Sequence, residues 1–202
     1  MNERIHIVDS FLLEEECLYF INTAERMGFV ECEQAASKEY AHRNNGRIQI
    51  DDSELACQIY DRLLSVLPPV IDGKQPCGCS SNIRLYRYTA GQSFGKHIDE
   101  SHYDDRLGGI TKYTLLVYLN SGTSASVAGY EVGASGGGGG TECVGGETAF
   151  YKGTGDRQVV AEVVPQTGRL LLHGHGSHCL THEGRPVLSG VKYLLRTDVV
   201  YR

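Results

Sequence analysis

Residues 93–101, SFGKHIDES, place an imidazole and a carboxylate two positions apart. In an extended chain successive side chains leave from opposite faces, so His97 and Asp99 are expected on one face while Ile98 enters the other. A nitrogen and an oxygen donor held side by side can grip a divalent metal; the bland alternative is a strand end whose polar groups meet water. A metal needs a further donor from elsewhere. The histidines on offer are His173, His175, His178 and His182, all within LLHGHGSHCLTHEGRPVLSGVKYLLRTDVVY, besides His6, His42 and His102, and the residues alone do not choose among them. Two imidazoles and one carboxylate on a single face of an octahedron hold Fe(II) and leave three positions for a cosubstrate and O2.

Donors so far apart in sequence have to be assembled by a sheet. NIRLYRY, KYTLLVYLN, ETAFY, QVVAEVV, GRLLLH and VKYLLRTDVVY alternate with period two between turn-rich polar stretches, the spacing of a sandwich or barrel. Ahead of them, RIHIVDSFL reads as a strand running into a helix, with Asp9 or Ser10 as its N-cap and Leu12, Leu13, Cys17, Phe20, Ile21 and Ala24 at helical spacing up to Gly28. A second helix is capped by Asp51, Asp52 or Ser53, carries a stripe of Leu55, Ile59, Leu63 and Val66, and stops at Pro68 and Pro69. Both stripes are expected to pack on the sheet. QPCGCSS reads as a solvated loop, and AHRNNGR as a solvated turn whose Arg43 and Arg47 could meet an acidic or polar substrate. Residues 121–146 hold five consecutive glycines among serines and are expected to form a flexible insertion between two strands. A phosphate-cradling loop is disfavoured there, because no Lys-Ser or Lys-Thr pair follows the glycines.

The net charge of −6 and the lack of a Lys/Arg run argue against a surface dedicated to nucleic acid. The opening MNERIHIVDSFLLEEECLYF lacks a secretory pattern, and no segment is long and apolar enough to span a bilayer, so a cytoplasmic location is expected, with the nucleus as an open alternative and no membrane partner. The seven cysteines form no Cys-x-x-Cys pair and read as reduced thiols.

Taken with its motifs, the chain resembles the 2-oxoglutarate- and Fe(II)-dependent oxygenases of the prolyl 4-hydroxylase-like group. The likeness runs through VDSFLLEEECLYFINTAERMGF, RLYRYTAGQSFGKHID, YTLLVYLN, GGETAFY, PQTGRLLLHG and HEGRPVLSGVK in order. In that family a His-x-Asp pair is followed much later by a histidine and, a short interval beyond, by a Lys or Arg that binds the distal carboxylate of 2-oxoglutarate. His182 and Lys192 fit that interval, with RPVLSG matching the family's Pro-Val-x-x-Gly turn between them. The resemblance therefore implies His97, Asp99 and His182 as metal ligands and catalytic centre. It implies Lys192 and Tyr88, and less directly Tyr118, as cosubstrate contacts. It also implies one jelly-roll (double-stranded β-helix) domain over residues 1–202, mostly β with flanking helices. The cofactors implied are Fe(II), 2-oxoglutarate and O2, with ascorbate as a candidate reductant. The reaction implied is oxidative decarboxylation of 2-oxoglutarate coupled to hydroxylation of a C–H bond, most readily in a prolyl residue or another side chain of a peptide or protein, ahead of a small molecule.

The basic anchor also follows from electrostatics, since a dicarboxylate chelating iron through its 2-oxo-acid end leaves its other carboxylate inside the barrel, where an unpaired charge is costly. Arg196 shares the inward face with Lys192 by alternation and is the competing anchor, a substrate contact or an ion-paired structural residue. His178 reads as a hydrogen-bonding loop residue or an added ligand. Two other classes stand beside the oxygenase: a zinc-dependent hydrolase, for which no general base accompanies the triad, and a catalytically silent jelly-roll binding module.

Overall fold

Alternation decides which way each strand faces, and the strands build two leaves around a shared interior. The computed structural model describes residues 4–37, 41–124, 142–152 and 157–202. The N-terminal part comprises β1 (Ile5–Val8), α1 (Glu14–Met27), β2 (Val30–Gln34), β3 (Arg43–Asp51), α2 (Ser53–Leu63) and β4 (Pro76–Cys79). There follow β5 (Asn82–Thr89), β6 (Phe94–His97), β7 (Tyr103–Asp104), β8 (Gly109–Tyr118), β9 (Gly122–Thr123) and β10 (Cys143–Gly145). The chain closes with β11 (Thr148–Lys152), β12 (Gln158–Val163), β13 (Leu170–Gly174), a 3-10 turn (Gly176–His178), β14 (His182–Gly184), β15 (Val187–Ser189) and β16 (Val191–Tyr201).

The strands hydrogen-bond in the order β1-β13-β8-β16-β5-β3-β6-β14-β11-β12, with β2 on β3, β4 on β16 and β7 on β8; a small sheet runs β15-β10-β9. The leaf β6-β14-β11-β12 joins the rest through Arg43 opposite Phe94. Folded over, it encloses Tyr86, Leu116, Leu171 and Leu194 of one leaf with Phe150 and Val163 of the other, which is the interior of a jelly roll. The outer face of the large leaf carries Ile83, Leu85, Leu115, Val117, Leu170, Leu172 and Leu195 and is covered by Cys17, Ile21 and Ala24 of α1 and Ala56, Ile59 and Leu63 of α2. Arg62 of α2 pairs with Glu16 of α1 at 2.6 Å and ties the helices together. Among the described residues, no helix is long and apolar enough to cross a membrane.

The expectations needed several corrections. Neither Asp9 nor Ser10 caps α1: the amides of Phe11 and Leu12 donate to Gly168 O, which holds that stretch against the turn before β13, and the helix begins only at Glu14, where Glu16 accepts from the Leu13 amide at 2.8 Å. Asp52 is the cap of α2, accepting from the Leu55 amide, but the helix ends at Leu63, so Val66 packs on the core from the turn beyond. QPCGCSS is not a solvated loop: β4 pairs with β16 and buries Cys79. AHRNNGR is not a turn: from Arg43 it is β3, between β2 and β5. All seven cysteines are free. Of residues 121–146, both ends are strands, with β9 and β10 paired in parallel, and residues 125–141 lie outside the described residues.

Candidate active site

The pairing of β6 with β14 sets His182 directly opposite His97, with their ring centres 4.2 Å apart. Asp99 follows in the loop after β6, and Ile98 between them is about half exposed rather than buried, because the strand has ended. His97 Nε2 lies 3.7 Å from Asp99 Oδ1, and His182 Nε2 lies 3.9 Å from Asp99 Oδ2. The donor atoms of the three residues all fall within 4.8 Å of one another. Each imidazole is fixed from behind: His97 Nδ1 donates to Gly95 O at 2.8 Å and His182 Nδ1 to Leu180 O at 3.0 Å, which leaves both Nε2 lone pairs facing the carboxylate. Burial, reinforced by the neighbouring His182, pushes His97 down to about 3, and burial lowers His182 as well, so both rings are neutral at physiological pH. Two neutral nitrogens and a carboxylate form a donor set that suits a divalent iron.

Asp99 is held from the opposite side. Thr114 Oγ1 donates to its Oδ2 at 2.6 Å and Arg196 to the same oxygen at 3.0 Å, which leaves Oδ1 turned to His97. Burial alone would raise the carboxyl, but Arg196, followed by the three surrounding histidines, holds it well below the usual range. Behind Thr114 runs a chain of polar contacts: His175 Nε2 lies 2.8 Å from Thr114 Oγ1, His175 Nδ1 3.1 Å from Thr111 Oγ1, and Thr111 Oγ1 3.2 Å from His102 Nδ1. Arg196 also approaches Asp198 at 3.6 Å, and Asp198 is paired with Arg84, so charges alternate in sign through the buried layer. Arg196 is thus the ion-paired partner of Asp99, while Lys192 lies nearer the start of β16.

The other end of the cavity belongs to Lys192, which is 3% exposed and donates to Gly146 O at 2.5 Å. Its Nζ lies 5.5 Å from the ring centres of both Tyr88 and Tyr118. The register of β5 and β16 puts Tyr88 beside Lys192, and both line the same cavity as His97, Asp99 and His182. Tyr118 is not on that wall: it is fully buried and donates to Thr148, which lines the cavity instead. Burial lowers Lys192 to about 8 against the opposing charges of Cys143 and Glu147. An ammonium this buried has an evident use for an incoming carboxylate.

A second group of possible donors, His173, Cys179 and His182, overlaps the first. Cys179 approaches His182 from its Nδ1 side at 3.8 Å, the nitrogen already engaged with Leu180 O, and its thiol is pushed up to about 12 by burial, with the charges of Asp99 and Glu100 adding. A protonated sulfur facing an occupied nitrogen makes a poor ligand. His178 is half-buried and pairs with Asp72 at 3.4 Å, away from the cavity. Arg43 reaches the site and Arg47 does not: the Arg43 guanidinium lies 4.7 Å from the Tyr86 ring and 4.9 Å from Phe94, which stacks on His97, whereas Arg47 bonds Gln49 at the surface.

The model of the 2OG-Fe(II) oxygenase superfamily matches residues 83–197, more than half of the chain and all of the cavity just described. The chain belongs to this superfamily. It is a 2-oxoglutarate-dependent dioxygenase with Fe(II) as its metal and O2 as the second cosubstrate, which sets aside the zinc hydrolase and the silent binding module. Solved structures share its fold. The viral collagen prolyl hydroxylase vCPH from Paramecium Bursaria Chlorella virus-1, in its 2OG complex, is 22% identical over 98% of this chain and 96% of that one, with a TM-score of 0.61. A Trichoplax adhaerens prolyl hydroxylase in complex with a hypoxia inducible factor oxygen degradation domain peptide fragment is 19% identical over 97% and 83%, at 0.62. HygX from Streptomyces hygroscopicus, with nickel and 2-oxoglutarate bound, is 13% identical over 98% and 83%, at 0.58. No curated protein sequence matches.

Sequence reasoning missed several residues of this oxygenase site. Thr114 and Asp198 share the inward face with Leu116 and Arg196 by alternation, and that signal was present in TKYTLLVY and LLRTDVVY. His173, by contrast, was among the histidines on offer and was passed over for His182; it shares the inward face with Leu171 in GRLLLH, a polar group closing an apolar strand.

Proposed function

We propose that this oxygenase hydroxylates a C–H bond of a peptidyl substrate, with a prolyl residue as the foremost target. His97 Nε2, Asp99 Oδ1 and His182 Nε2 hold Fe(II), and Lys192, with Tyr88 beside it, receives the distal carboxylate of 2-oxoglutarate. The observation that carries this reading is one cavity with the three donors at one end and a buried ammonium at the other. When bound, Fe(II) and 2-oxoglutarate supply the oxidising chemistry: the cosubstrate and O2 become succinate and CO2, and one oxygen atom enters the substrate C–H bond. The chain's own residues select and orient. Thr114 and Arg196 keep Asp99 turned to the metal, Lys192 sets the reach of the cosubstrate, and Phe94 with Arg43 forms an aromatic and cationic wall beside His97. The peptide preference draws on likeness to one prolyl hydroxylase that acts on collagen and another held with a peptide fragment. A panel of proline-containing peptides, incubated with Fe(II), 2-oxoglutarate and labelled O2, should yield a peptide that stimulates succinate formation and gains one labelled oxygen atom. Stimulation by small metabolites alone would overturn the peptide reading and leave the oxygenase intact.

A further inference from the structure

His175 lies between β13 and the 3-10 turn, is 2% exposed, and forms no part of the cavity wall. Each of its ring nitrogens meets one buried hydroxyl, Nε2 that of Thr114 at 2.8 Å and Nδ1 that of Thr111 at 3.1 Å. Burial lowers the ring to about 4, so it carries a single proton at neutral pH, and its partners decide on which nitrogen. Asp99 is ionised and can only accept, so the Thr114 hydroxyl proton goes to its Oδ2 at 2.6 Å rather than to Asp198 Oδ1 at 3.5 Å. Thr114 Oγ1 is then left with lone pairs: one takes Arg196 at 3.0 Å, and the other is filled by an N–H at His175 Nε2. Asp198 Oδ1, 3.8 Å from that nitrogen, places a negative charge beside the same proton. The bare Nδ1 accepts the Thr111 proton, and Thr111 Oγ1 accepts from the His102 amide at 3.0 Å and the His102 ring at 3.2 Å. Every proton on this path points from the exposed His102 toward Asp99.

We propose that His175 is a positioning residue for the iron centre: held by Thr111 as the Nε2-protonated tautomer, it donates to Thr114 and commits the Thr114 proton to Asp99 Oδ2, which leaves Oδ1 for the metal. The inference rests on the reading that His97, Asp99 and His182 hold Fe(II). The opposite tautomer would present a lone pair to Thr114, draw its proton away from Asp99 and free the carboxylate to turn. The polarity of the path is therefore set at Thr111, and His175 transmits it across the width of one imidazole to a ligand it does not itself bond.

The test joins a spectrum to a titration. Nitrogen-15 spectra of metal-free wild type at neutral pH, with the His175 signals assigned by their loss in His175→Gln, should show a protonated Nε2 and a bare Nδ1. A ring protonated at Nδ1 would overturn the proposal, and this outcome does not depend on whether any variant folds. Anaerobic Mn(II) titrations, read from loss of the free-ion paramagnetic signal, then compare wild type with His175→Gln, whose amide reaches the Nε2 position, and His175→Asn, whose amide reaches only the Nδ1 position. His175→Gln should bind Mn(II) nearly as wild type does, and His175→Asn about 10-fold more weakly, in variants whose thermal melts coincide. Equal Mn(II) affinity in the two variants would mean that the ring only fills space, and would overturn the proposal while leaving the triad in place. Mn(II) binding that survives Asp99→Ala, or is missing from wild type, would overturn the triad and the proposal together.

Discussion

Asp99 carries opposite demands on its two oxygens, one turned to His97 and the other to Thr114 and Arg196. A carboxylate fixed in this way offers a metal one lone pair at a set angle, and loosening it weakens the centre without removing a ligand. Thr114→Val keeps the shape and removes the 2.6 Å hydrogen bond, so Fe(II) or Mn(II) affinity should fall by about 10–100-fold. An unchanged metal titration would show that Arg196 alone suffices. At the other end, Lys192 must be charged to receive a carboxylate, and burial has lowered it from 10.5 to about 8. Affinity for 2-oxoglutarate should therefore weaken as pH rises through about 8, and Lys192→Ala should remove both that dependence and about 2–5 kcal/mol of binding. The stability sign is the reverse of a lysine that gains a partner: the unfolded chain takes up the proton first, so the empty protein loses stability as pH falls from 10.5 toward 8 and levels off below. The lysine, its tyrosine and the triad were legible from spacing and resemblance. The partner of Arg196 was not, because alternation gives the face of a residue and not which charge waits across the sheet.

The elements that place these groups were legible where both faces of a strand are buried. β5, β8, β13 and β16 are apolar on the helix side and mixed on the cavity side, and their period is unmistakable. β3 escaped notice because its first half, Arg43 to Gly46, is polar or glycine, and its alternation starts only at Ile48. β4 escaped because Pro76, Cys77 and Gly78 carry little β signal, and only the register with β16 makes them a strand. The turn before β16 shows why a glycine stands in RPVLSG. Gly190 has φ of +72°, and a Cβ there would lie 2.2 Å from Glu142 O. Gly190→Ala should strain that turn by about 1–3 kcal/mol, lower the melting temperature and, because Lys192 follows two residues later, weaken 2-oxoglutarate binding. A melt and a cosubstrate titration equal to wild type would mean that the turn relaxes without disturbing β16.

At the scale of the molecule, two apolar layers do different work. The one under the helices is mostly hydrocarbon, with Leu63, Leu115, Leu170 and Leu195 fully buried. The one between the leaves is interrupted by Asp99, His173, His182, Lys192 and Asp198, each of them buried. Such groups persist in an interior only when paired or put to use, so the same fold that stabilises the large leaf concentrates its cost where the chemistry is. The most direct measurement is Fe(II)-dependent conversion of 2-oxoglutarate to succinate by wild type and by Asp99→Ala, each first shown to be folded. The account predicts succinate from wild type and none above background from the variant, which should still fold but melt at a lower temperature because Arg196 loses a buried partner. Undiminished succinate from Asp99→Ala would contradict it.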